Sequence, residues 1–130
     1  MTRAAFERLV NEGVEQIPER FRGYLQDVAL VVEGEPTVDQ QHSSEVPGDK
    51  ELLGLYEGTP RTERAYLSYR LPDKITLFQG PLERYCEGDT GCIRAEVIRT
   101  VEHELAHALG MPEDRVLELE ARRGWTLETF

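Results

Sequence analysis

Two of the three histidines of this 130-residue chain fall in one pentapeptide, His103-Glu104-Leu105-Ala106-His107. Histidines four residues apart share one face of an α-helix, so both imidazoles can point at one ion about 2 Å from each ring nitrogen. Glu104 follows about 100° further round a helix of 3.6 residues per turn, which stands it beside such an ion and not on it. A carboxylate there can take a proton from a water whose pKa a metal ion has brought near neutrality. The pattern H-E-x-x-H on a helix therefore points to metal-assisted hydrolysis, with Glu104 as general base. Zinc suits the site best, one ion per chain, because it tolerates a tetrahedral site with one open position; other divalent metals also accept imidazole. The competing reading is a pair of surface histidines with no metal.

A catalytic zinc usually takes three protein ligands. Gly110 follows His107 by three, and a turn there sends the chain back so that the residue three further on, Glu113, can reach the ion. Asp114 stands next to it. Both are candidates for the metal, although acidic residues in a first helical turn also complement the helix dipole with no metal present. A carboxylate later in the chain, Glu118 or Glu120, is a further candidate. His42 lies in a polar stretch and reads as solvent-exposed. A peptidase must also stabilise an oxyanion, and no motif marks that group. Tyr56, Tyr66, Tyr69 and Arg99 are candidates that the sequence does not rank.

The helix that must carry these residues is the best-defined element of the chain. Ile93, Val97, Val101, Leu105 and Ala108 form an apolar stripe widened by Ile98 and Leu109, which predicts a helix from about Cys92 to Leu109. Thr90 or Asp89 can cap its start and Gly110 follows its end. Pro112 opens a last helix over about 113–123, and Trp125 begins a short tail. Upstream, Phe6, Leu9, Val10, Val14 and Ile17 predict an amphipathic helix over 3–17, capped by Thr2 and stopped by Pro18. Val28 to Val32 is apolar on both alternations and reads as a central strand covered on both faces. Residues 37–50 are the most polar and read as a surface loop. Residues 52–56 predict a second strand interrupted by Gly54, 65–71 an edge strand, and 74–79 a further strand, with a short helix starting at Pro81. This order of elements is α+β, in a single domain spanning 1–130.

The composition bounds the function. A length of 130 residues buries a sizeable core without help from disulfides or metals. Fifteen basic residues against 25 acidic ones, a net charge of −10, argue against nucleic acid as a partner, and no basic run exceeds Arg122-Arg123. No stretch has the length of a membrane span, and the first residues lack the apolar core of a signal peptide, so a cytoplasmic protein without membrane partners is expected. One Asn, and thirteen Arg against two Lys, suit a heat-tolerant organism and equally a GC-rich genome. Cys86 and Cys92 are expected to be free structural thiols. A bridge between them would suit a hyperthermophile, and as half of a zinc ribbon they lack the second half.

Four strings resemble a known family: Asp27-Val28-Ala29-Leu30-Val31-Val32-Glu33, Leu52-Leu53-Gly54-Leu55-Tyr56-Glu57-Gly58, Leu71-Pro72-Asp73-Lys74-Ile75-Thr76-Leu77-Phe78, and Thr100-Val101-Glu102-His103-Glu104-Leu105-Ala106-His107-Ala108-Leu109-Gly110. They resemble the small bacterial zinc metallopeptidases of minimal zincin-like fold. The resemblance implies an N-terminal helix, a small mixed sheet of three to four strands, an active-site helix and a C-terminal helix. It also implies His103 and His107 as metal ligands, Glu104 as general base, and an acidic ligand at Glu113 or Asp114. The chain lacks the third histidine of the metzincins, and Met111 follows too soon to be their separate Met-turn. The expected activity is hydrolysis of short or flexible peptides by a monomer or small homo-oligomer. The alternative is a metal- and peptide-binding module with weak or no catalysis.

Overall fold

The computed structural model describes residues 1–44, 50–58, 73–110, 114 and 118. Helix α1 (Arg3–Glu15) starts where expected, with the Thr2 hydroxyl accepting the Ala5 amide, and ends just before Pro18. A short helix α2 (Glu19–Arg22) and a 3₁₀ turn (Gly23–Asp27) lead into strand β1 (Ala29–Glu33). Helix α3 (Val38–Ser43), strand β2 (Gly54–Glu57), strand β3 (Lys74–Phe78), helix α4 (Gln79–Tyr85) and the long helix α5 (Thr90–Ala108) follow. The architecture is α+β with a mixed sheet. The expected strand at 65–71 lies outside the described residues, as does most of the expected last helix. Asp114 and Glu118, the two described positions of that stretch, are helical.

Among the described residues the strand order is β1-β3-β2, with β1 parallel and β2 antiparallel to β3. The burial along β1 corrects the expectation that Val28 to Val32 is a central strand covered on both faces. Centrality belongs to β3, in which Ile75, Thr76, Leu77 and Phe78 are all buried, whereas Ala29 on β1 is exposed and Val31 only half-buried. A second correction concerns residues 37–50, of which 45–49 lie outside the described residues. Val38–Ser43 is a helix with a reciprocal capping box, the Thr37 hydroxyl taking the Gln40 amide and the Gln40 side chain taking the Thr37 amide.

The core lies between the sheet and the two long helices. Phe6, Leu9 and Val10 of α1 meet Ile93, Val97 and Val101 of α5, with Leu77 and Val32 beneath them. Each such side chain, fully buried, contributes about 1.5–3 kcal/mol, so this contact fixes where α5 lies. Arg84 on α4 clamps Glu35, just past β1, and Glu51, just before β2. The pairs are solvent-exposed and act more as guides for the loops than as sources of stability.

A third correction concerns the cysteines. Cys86 and Cys92 form a disulfide, with Cα atoms 5.5 Å apart, in place of the expected free thiols. Cys86 is buried in the core at the end of α4, and Cys92 sits in the first turn of α5. The chain doubles back between them through Glu87 and Gly88, both at positive φ, and this reversal brings the two sulfurs together.

Candidate metal centre

Helix α5 carries the candidate site on its last two turns. Its N-cap is Asp89, whose carboxylate accepts the Cys92 amide at 2.9 Å, and it runs unbroken to Ala108. Gly110, at φ +86°, turns the chain away, the left-handed position that the sequence reserves for glycine after a helix. The helix holds His103 and His107 half-buried one turn apart, with Nε2 of one 3.2 Å from Nε2 of the other and the rings edge to face. One ligand atom from each of His103, Glu104 and His107 lies within 4.8 Å of the others.

The donor set fits a metal ion. Two imidazole nitrogens bound to one tetrahedral zinc at about 2.05 Å stand about 3.3 Å apart, close to the 3.2 Å found here.

Glu104 is held from the sheet. The backbone N–H of Tyr56 on β2 donates to Glu104 Oε1 at 3.3 Å. The register accounts for this contact. The Phe78 N–H bonds to the Leu53 carbonyl, so alternation turns the backbone groups of Leu55 and Glu57 toward β3 and those of Gly54 and Tyr56 away from it. The strand lies close enough because residue 54 is glycine. A Cβ at that position would stand 2.3 Å from Cγ2 of Thr100 on α5. The glycine that appeared to interrupt a strand is what lets α5 pack onto it.

The other sequence candidates are distributed as follows. The Tyr56 hydroxyl donates to Asp73 Oδ1 at 2.9 Å. Arg99 pairs with Glu96 at 2.8 Å, one turn before His103. His42 is exposed on α3. Asp114 and Glu118 are helical and exposed, and among the described residues the cluster consists of His103, Glu104 and His107. Glu113, Glu120, Tyr66 and Tyr69 lie outside the described residues.

Three participants escaped the sequence reading: the Tyr56 amide, Asp73 and Glu96. The first two depend on strand pairing across long sequence separations, for which the sequence carries no local signal. Glu96 is 4% exposed, and burial pushes its carboxyl above the usual range against the pull of Arg99. Its three-residue spacing from Arg99 on one helix was the available clue.

Comparison with known proteins agrees with this geometry. The model of the family described as zincin-like metallopeptidase matches residues 25–123. A conserved hypothetical protein from Thermus thermophilus has a similar solved structure, with 27% identity and a TM-score of 0.51, covering 95% of this chain and 98% of that one. No curated protein matches the chain. A family match over residues 25–123, which include the helix whose two histidines are spaced for one ion, means that this chain belongs to the zincin-like metallopeptidases.

Proposed function

We propose that the protein is a zinc-dependent peptidase that hydrolyses short or flexible peptides. His103 and His107 would hold the ion together with a carboxylate from beyond Gly110. Glu113 comes first by spacing, with Asp114, Glu118 and Glu120 as alternatives. The ion, when bound, supplies a Lewis acid that brings the pKa of water toward neutrality. Glu104 takes the proton from the attacking water as its oxygen bonds to the peptide carbonyl carbon. It returns that proton to the leaving nitrogen as the C–N bond breaks. An extended peptide could be held by adding it as a further strand at a sheet edge. The observation that carries the reading is the 3.2 Å separation of the two imidazole nitrogens, with Glu104 beside them.

One observation favours a second reading, a metal-holding module with weak catalysis. Tyr56 and Arg99, two of the four candidates for an oxyanion donor, are engaged with Asp73 and Glu96. Cleavage of a peptide library by the zinc-loaded protein and its Glu104→Gln variant separates the two. A peptidase loses turnover in the variant while keeping its zinc. Equal turnover in both removes Glu104 from the mechanism, and no turnover in either leaves the binding module.

A further inference from the structure

The strand that meets Glu104 is fastened at both ends. At one end Gly54 lies against Thr100 with no room for a Cβ. At the other, the Tyr56 hydroxyl donates to Asp73 Oδ1 at 2.9 Å, and Asp73 is 8% exposed. The carbonyl of Asp73 in turn accepts the Ala29 amide of β1 at 3.0 Å, so this residue is anchored to the sheet by its own backbone. Gly58 closes over the pair. A Cβ there would fall 2.6 Å from Asp73 Oδ1 and 2.8 Å from the Tyr56 hydroxyl, so only glycine fits. A single residue, Tyr56, thus has its side chain tied to the anchored Asp73 and its amide on Oε1 of Glu104.

We infer that Tyr56 is a positioning residue for Glu104. Its hydroxyl, latched to Asp73, fixes the backbone amide that orients the Glu104 carboxylate. This rests on the proposed role of Glu104 as general base. A carboxylate on a three-torsion side chain has many orientations. A donor held in place by a rigid sheet selects one of them before substrate arrives, which is the preorganisation a proton transfer needs.

The test is amide hydrogen exchange of the full chain, with and without zinc, beside steady-state cleavage of any peptide that a library yields. Losing one hydrogen bond of ordinary net strength changes protection about fivefold to tenfold. Glu104→Ala should lower protection of the Tyr56 amide by that factor, and Glu104→Gln, whose side-chain carbonyl can still accept, should restore most of it. Tyr56→Phe and Asp73→Ala should lower it similarly, whereas Asp73→Asn, which keeps Oδ1 as an acceptor, should not. The Leu55 and Glu57 amides, which face β3, should stay within about twofold in every variant. In turnover, Tyr56→Phe should lower kcat about fivefold to tenfold at unchanged KM and zinc content. Unchanged protection of residue 56 in Tyr56→Phe overturns the inference. So does a loss shared equally by Leu55 and Glu57, which would mean that the latch merely holds the strand. Absence of zinc, or full activity in Glu104→Gln, would instead overturn the peptidase reading, and the exchange pattern would still decide whether the latch orients Glu104.

Discussion

Replacing Gly54 with alanine tests the packing that brings the sheet to the candidate site. The new Cβ would stand 2.3 Å from Thr100 Cγ2 and 3.1 Å from the Thr76 carbonyl oxygen. Ordinary contact begins near 3.4 Å, so β2 and α5 must separate by about 1 Å locally. Thr100 is 3% exposed and has little freedom to turn aside. Overpacking of this kind costs about 1–3 kcal/mol. The same separation would stretch the 3.3 Å contact between Tyr56 N and Glu104 beyond hydrogen-bond range. Urea unfolding of four proteins measures the effect: the parent, Gly54→Ala, Thr100→Ser and the double variant. Serine keeps the hydroxyl and removes the methyl that the new Cβ would strike. The double variant should therefore recover at least half of the stability lost in Gly54→Ala, a coupling of about 1 kcal/mol. A cost below about 0.5 kcal/mol for Gly54→Ala, or no recovery in the double variant, would refute the claim that the glycine is there for α5.

The Cys86–Cys92 bridge closes a loop of sequence separation 6, and chain entropy for so short a loop gives about 2 kcal/mol of stabilisation. Cys86→Ser/Cys92→Ser should lower the urea stability by about that amount, and equal midpoints with and without reductant would count against a bridge in solution. Asp89→Ala removes the cap of α5 and should cost about 1 kcal/mol in urea or thermal unfolding, with Asp89→Asn much milder; identical losses would rule out capping. Burial raises the Glu96 carboxyl above its ordinary value, so the folded state holds a proton that the unfolded state has already released. Stability from this group therefore falls as pH rises above 4.5, and the parent should lose more stability on that rise than Glu96→Gln does. Parallel pH profiles for the two proteins would deny Glu96 that role.

The helix carrying the site was legible because its signals agree. An apolar stripe, a capping aspartate and a following glycine all mark one segment, and the four-residue histidine spacing has meaning only on a helix. Helix α3 was missed because a polar composition outweighed the Thr37–Gln40 capping box, a local signal that was present. The place of β1 beside β3, and not between two of the described strands, was not legible. Val28 to Val32 alternates no more than a buried strand does, and centrality depends on which neighbours pair. Counting cysteines could not show that a turn through Glu87 and Gly88 brings Cys86 to Cys92. Within the site, the histidine pair follows from local geometry. The Tyr56 amide is 48 residues from Glu104, and Asp73 is 17 residues from Tyr56. Those contacts arise only once β2, β3 and α5 are assembled, which is why the sequence pointed to Tyr56 as an oxyanion donor and not as a support for Glu104.

The central claim is that His103 and His107 hold a metal ion. The direct measurement is the metal content of the protein purified without added metal or a histidine tag, beside a His103→Ala variant. About one zinc per chain in the parent, lost in the variant, is the predicted result. A parent that stays metal-free after dialysis against micromolar zinc would contradict the claim and leave the two histidines as neighbours on a helix.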